Sequence, residues 1–401
     1  MSTVSRRPRG SDMKRALQIA VLLLAALAAY LAFWPVPITP VAWQAPPSPG
    51  YTGPHAANER LSAVQVITVA PEIGPEHIDF GPDGKLYTGV LSGAVLRMNA
   101  DGSGLETVVN TGGRPLGFDF TAEGQLVIAD AIKGLLALQP DGTLRVLADS
   151  VDGDAIRFAD AVVIATDGRM YFTDASRRFP PAELGTFDAA LLDVLEHSCT
   201  GRVLVYEPAT GHASVLMKGL CFPNGVALSA DERHLFIAET GEYRIWKVEA
   251  SARDLDARGL AAGGDARARV IAANLPGFPD NLTRGADGRL WTGLTKPRSS
   301  TVDGMAGRPA MRALTLRLPK SLWPVPPAYG HVIAFDEDGR VLADLQDPAG
   351  RIAETSGVTE HEGRLYVHSL HAGAFGVIDA AAAGLAPPRS PEGLEPVDGV
   401  P

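Results

Sequence analysis

One phrase recurs six times along this chain: an apolar strand, a turn usually carrying Asp-Gly or Glu-Gly, then a second apolar strand. It reads FGPDGKLYTG (80–89), FTAEGQLVIAD (120–130), IATDGRMYFTD (164–174), LSADERHLFIAE (228–239), RGADGRLWTG (284–293) and TEHEGRLYVHS (359–369). Glycine accepts positive φ, so an acidic residue followed by Gly between alternating apolar residues marks a hairpin. A further strand follows each hairpin, as in VLRMNADG (95–102) and HVIAFDEDG (331–339). The turns at Gly84, Gly124, Gly168, Glu232, Gly288 and Gly363 are 40, 44, 64, 56 and 75 residues apart. The shortest intervals suit one four-stranded blade, and the longer ones imply insertions. Six units predict an all-β, six-bladed β-propeller over residues 66–395, with a short tail at 396–401. A two-sheet sandwich does not account for a phrase used six times.

Eight residues before each turn stand Glu76, Leu116, Asp160, Asn224, Asp280 and Thr355. Equivalent positions on inner strands surround a propeller's axis, so these six are expected to form a ring. Four carry a carboxylate or amide oxygen: Glu76, Asp160, Asn224 and Asp280. Facing carboxylates repel and shift one another's pKa unless a cation lies between them. An all-oxygen set with no Cys or His favours Ca²⁺ over Zn²⁺. A hydrated polar tunnel without metal is the alternative. Asn281, beside Asp280, adds an oxygen or orients its neighbour from outside the ligand set.

Ahead of the propeller, residues 16–34 (ALQIAVLLLAALAAYLAFW) carry no charge. As a helix this run spans about 29 Å, close to a bilayer's hydrocarbon core. Residues 1–15 hold five cations and one acid. The expectation is a cytoplasmic basic tail and a single-pass anchor (16–34) in the inner or plasma membrane, with the propeller on the periplasmic, extracytoplasmic side. A cleaved signal peptide is the other reading, since Ala26 and Ala28 suit a peptidase; the run exceeds the usual h-region of about 7–15 residues. Residues 35–65 form a Pro-rich linker, expected to be a semi-extended spacer holding the body off the bilayer.

The chain's formal charge is −10, and 31 basic and 45 acidic side chains remain beyond residue 15. So acidic a body repels a phosphate backbone, which argues against nucleic-acid binding. Of the two cysteines, Cys199 and Cys221 fall at the open end of a hairpin predicted around EPATGH (207–212). In an oxidising compartment they suit a disulfide; two buried thiols are the alternative. Two insertions, 177–200 and 298–327, leave the blade phrase at the same point and so emerge on one face. The first contains the helix-like FDAALLDVLEH (187–197). The second mixes Met311, Leu314, Leu318, Leu322 and Trp323 with Arg312, Arg317 and Lys320. A lid over the tunnel, in touch with lipid, is one expectation and packing of an enlarged blade the other; an apolar lid favours hydrophobic substrates.

Gly74-Pro75-Glu76, Phe222-Pro223-Asn224-Gly225 and Gly277-Phe278-Pro279-Asp280-Asn281 resemble the strictosidine-synthase-like proteins, as does the stretch 201–239. The resemblance is strongest to the membrane-anchored branch that includes the adipocyte plasma membrane-associated protein. Its wider relatives are the paraoxonases and the gluconolactonase/senescence-marker lactonases, six-bladed propellers with a catalytic divalent ion, usually Ca²⁺. The resemblance implies metal ligation by Glu76, Asn224 and Asp280, with Asp160 standing where the family usually has Asn. It also implies Asp280 as general base in hydrolysis of a small hydrophobic lactone or aryl ester. Pro115-Leu116-Gly117 has Leu where paraoxonases have a His, so their His dyad is missing. The plant synthases carry a catalytic Glu in the last inner strand; here Glu354 falls out of register with it, which weighs against amine–aldehyde condensation. A non-enzymatic, ligand- or protein-binding propeller with structural Ca²⁺ is the reading from another class.

Overall fold

The structure, a computed structural model, describes residues 10–260 and 265–386. Arg6, Arg7 and Arg9 of the expected basic tail, the end of the expected propeller span and the tail 396–401 lie outside the described residues. Six sheets form the blades of a propeller: residues 78–110, 115–148, 159–220, 223–272, 277–347 and 355–379, antiparallel throughout except that Leu255–Asp256 joins the third in parallel. Blade 6 takes its outer strand from the other end of the chain. Gln65–Thr68 pairs antiparallel with Ala374–Asp379, Gln65 opposite Val377, and so fastens the two ends of the ring together. Each sheet packs on both faces against its neighbours. Second strands such as Leu126–Asp130 and Met170–Asp174 are therefore buried throughout rather than alternating. Between blades 3 and 4, for example, Tyr171, Val203, Val226, Ile237 and Trp246 share one apolar cluster.

The inner strands share a device that the hairpin pattern does not reveal. In blade 3 the pairing jumps from Ala159 to Val162, in blade 4 from Pro223 to Val226, and in blade 5 from Pro279 to Leu282. Blades 2 and 6 break likewise between Pro115 and Phe118 and between Thr355 and Val358. Each jump is a β-bulge, which re-aims a side chain away from the sheet's alternation. Asp160, Asn224 and Asp280 each occupy the first bulged position.

Both insertions fold onto one face. The first supplies a cap helix, Thr186–Glu196, and the second a lid helix, Pro309–Arg317. Cys199 and Cys221 are joined by a disulfide beside the hairpin Gly201–Glu207/His212–Leu220. Reducing it is expected to lower unfolding free energy by about 3 kcal/mol, because it closes a 22-residue separation. Urea melts with and without reductant measure this.

The N-terminal helix runs Gly10–Phe33, and its stretch Met13–Phe33 is long and apolar enough to cross a membrane. The following segment is extended, as its prolines require, but it is laid along the body as a strap rather than standing free as a spacer. Ile38, Leu61 and Val64 are buried in the propeller's apolar clusters. Trp43 stacks on His197 at 4.0 Å, and Val41 N donates to Glu196 O at 2.8 Å. Arg312, itself buried, donates to Leu195 O of the cap helix, Val41 O of the strap and Ala306 O of the lid. One guanidinium thus ties three segments together. A Pro-rich chain loses little freedom on being held, which favours this docking.

Candidate functional site

Glu76, Asp160, Asn224 and Asp280 line one cavity of about 80 Å³ at the head of the inner strands. All four are at most 4% exposed. Asn224 Nδ2 donates to Asp280 Oδ2 at 3.1 Å, linking blades 4 and 5. Asn281 joins blade 5 to blade 1: its Nδ2 donates to Glu76 Oε1 at 2.8 Å, while its backbone N donates to Asp280 Oδ1 at 3.0 Å. Close approach of the inner strands makes this possible. At Gly225 a Cβ would stand 2.2 Å from Leu282 N and 2.5 Å from Asp280 O, so only glycine fits. Gly225→Ala is expected to push blade 5 away and to lower the melting temperature by several degrees, readable by circular dichroism.

Burial raises the pKa of Asp280, Asp160 and Glu76; the Glu76 carboxylate adds to the rise at Asp280 and Asp160. Two buried oxygens in the set, Glu76 Oε2 and Asn224 Oδ1, have no hydrogen-bond partner among the described residues. Such atoms are expensive to leave unmatched. Arg114 also lines the cavity; its charge interacts with Glu76 and Asp160, and its Nη2 donates to Gly74 O at 3.2 Å. Three carboxylates and one guanidinium carry a formal charge of −2, which a divalent cation would neutralise. Oxygen donors, negative charge and orphaned acceptors therefore fit a hard cation such as Ca²⁺.

Thr355, the sixth ring residue by count, does not join the site. Its hydroxyl is held by the carbonyls of His331 and Leu294. Blade 6 closes a tighter hairpin, His361 pairing Arg364, whereas Ile164 pairs Met170 and Phe120 pairs Leu126. The count therefore slips by one, and the first bulged residue is Ser356, whose Oγ donates to Glu76 O at 2.5 Å.

A second set of wall residues, of which the sequence reading did not single out Arg114 and Phe158, stands two places before the bulges. Arg114, Phe158, Phe222, Phe278 and Glu354 share that position, and all wall this cavity or the one above it. Carrying the blade phrase two residues further back would have found them. Glu354 is thus on the wall, held by Lys296 Nζ at 2.5 Å and His371 Nδ1 at 2.6 Å. These partners lower its pKa to about 2. Leu116, the second blade's ring residue, lines the cavity without offering it a ligand atom. His77 is packed against Phe118 and His368, and burial pushes its pKa down to about 4. Elsewhere, Asp344 Oδ2 is shared by His55 Nδ1 and His331 Nε2 at 2.8 and 2.9 Å, fastening the strap to blade 5.

Residues 160–252 match the strictosidine synthase family model and residues 53–98 that of the strictosidine synthase-like N-terminal region. A strictosidine synthase-like protein of Arabidopsis thaliana is 33% identical over 323 residues, 75% of this chain and 80% of its own length. This chain belongs to the strictosidine synthase-like family. The human adipocyte plasma membrane-associated protein is 30% identical over 380 residues, covering 88% of this chain and 86% of that protein. Among solved structures, a gluconolactonase from Xanthomonas campestris superposes with a TM-score of 0.55 at 19% identity, covering 84% of this chain and 98% of that one. A calcium-binding protein, regucalcin, from Agrobacterium tumefaciens gives 0.51 at 15% identity, over 79% and 94%. At these identities the likeness is one of fold.

Proposed function

We propose that this strictosidine synthase-like protein is a membrane-anchored, Ca²⁺-dependent hydrolase of hydrophobic lactones or esters, its body outside the cytoplasm. The observation that carries the reading is the pair of orphaned oxygens, Glu76 Oε2 and Asn224 Oδ1, in a buried site of charge −2 beneath apolar walls. Glu76, Asp160, Asn224 and Asp280 would hold the ion. Bound there, it supplies a Lewis acid that polarises a carbonyl.

The chain's own groups do the rest. Asn224 Nδ2 and the Asn281 backbone N each grip one oxygen of Asp280, fixing its carboxylate. Asp280 takes a proton from water as the water oxygen bonds to the acyl carbon, and returns it to the alkoxide when the acyl–oxygen bond breaks. Arg114 has Nε and Nη1 without partners among the described residues, and these are free to bind the acyl oxygen or the product carboxylate. Phe158 and Phe222 receive the apolar part of the substrate. Glu354 is too firmly paired, and its pKa too low, to be an effective base, which weighs against the condensing reaction.

A panel of lactones and aryl esters tests this. Hydrolysis is expected to vanish with chelator, to return with Ca²⁺, and to be absent in Asn224→Ala protein of unchanged circular dichroism. A folded, Ca²⁺-loaded chain that hydrolyses nothing would favour the binding-propeller reading. In Arg114→Met, hydrolysis is expected to fall while Ca²⁺ affinity is kept or increased, since a nearby positive charge is removed.

A further inference from the structure

Three adjoining cavities link the cleft between cap and lid to the axial carboxylates, and Phe187 borders all three. The first, about 240 Å³, lies between the cap helix (Leu191, Val194, Leu195) and the lid segment (Trp323, Val325). It shares Leu191, Val194 and Phe278 with a second, of about 160 Å³, which reaches Asp280. That one shares Ala190, Phe222 and Asp280 with the cavity bounded by Glu76, Asp160 and Asn224. A largely apolar passage, with the Lys296–Glu354 ion pair in its wall, therefore ends on a buried polar site.

The mouth of this passage lies beside the N-terminal helix. Arg317 of the lid helix donates through Nε to Trp34 O at 2.7 Å and through a terminal nitrogen to Leu31 O at 3.1 Å. Four residues separate Phe33 from Ile38, which is already buried in the body. Extended chain bridges that interval over roughly 17 Å at most. Around the mouth the apolar tips face outward: Leu322 is 64% exposed, Val325 59%, Phe187 48% and Met311 43%. Among them stand Arg317, Lys320 and Trp323, with Lys320 Nζ 5.7 Å over the Trp323 ring. Apolar tips set among cations and tryptophan are the composition of a surface lying at lipid headgroup level.

The geometry points to residues 318–326 and Phe187 as a bilayer-contacting lip, through which a membrane-dissolved amphiphile enters with its polar end toward the carboxylates. The inference rests on the anchor reading of the helix and is independent of which bond is broken. The amphiphile is a single-chain molecule whose tail fills the passage while its polar group reaches Asp280. A substrate arriving from water would meet an apolar rim first, whereas one dissolved in lipid leaves one apolar phase for another.

The test uses the full chain in phosphatidylcholine vesicles containing a long-chain fatty alcohol with a diazirine at its chain end. After irradiation, adducts are mapped by mass spectrometry. Adducts are expected on residues 13–33, on the lip around Leu322 and Val325, and on Leu191, Val194 or Phe278 within the passage. Val325→Asp is expected to lower labelling in the passage several-fold and to leave labelling of 13–33 unchanged. Adducts on 13–33 with none on the lip or passage overturn the inference and leave the anchor reading standing. A lip covered by a second copy of the chain gives that result. Failure to label 13–33 overturns the anchor reading and the inference with it. Neither outcome depends on hydrolysis.

Discussion

Asp280→Asn is expected to cut kcat/KM for the best lactone or ester by roughly 10²–10⁴-fold, the range typical of removing a general base. The substitution keeps the side chain's shape and can still accept from the Asn281 backbone N, the 3.0 Å bond that fixes Asp280 now. The fold should therefore survive, as thermal melts would show. The loss should lie in kcat more than in KM, because proton transfer belongs to the transition state. Wild-type turnover in the Asp280→Asn protein would remove Asp280 from the chemistry and leave it a ligand only.

Asp160→Asn should stabilise the ion-free protein and shrink the stabilisation that Ca²⁺ adds. Without the ion, Asp160 is buried close to Glu76, and burial first, then that carboxylate, raises its pKa well above 3.8. Removing the charge is expected to stabilise the ion-free protein by about 1–4 kcal/mol. Wild-type protein at a hundredfold excess of Ca²⁺ over Kd should gain about 2.7 kcal/mol, and the variant less. The pH dependence has a definite sign. Asp160, Asp280 and Glu76 all have folded-state pKa values raised above 3.8 or 4.5, so the folded state holds more protons than the unfolded state. Their favourable contribution is present below about pH 4 and is lost as pH rises through the folded-state values. Saturating Ca²⁺ should reverse this slope, because it binds the deprotonated carboxylates. Melts across pH 4–8 with chelator and with Ca²⁺ would show the crossing.

The propeller was legible because each blade repeats one hairpin, and the acidic-Gly turn between apolar strands marks each repeat. Glu76, Asp160, Asn224 and Asp280 were legible for the same reason: equal distance from equal turns puts residues at equal depth. Where the turn differs the count fails, as at Thr355, one residue from Ser356 at the bulge. The strap was misread because prolines specify extension but not whether extended chain is free or docked. Docking depends on Ile38 meeting the apolar face of the cap helix, and on Trp43 and Leu61 meeting clusters that blades 4, 5 and 6 build together. Arg114 gave no signal alone, since a single arginine before proline is ordinary; its meaning comes from the carboxylates that face it from other blades.

Equilibrium dialysis of the detergent-solubilised full chain against labelled Ca²⁺ addresses the axial site without reference to any substrate. One saturable ion per wild-type chain, with binding strongly weakened in Glu76→Gln and in Asn224→Ala, is the predicted result. A chain that takes up no ion, or variants that bind as the wild type does, would contradict the account.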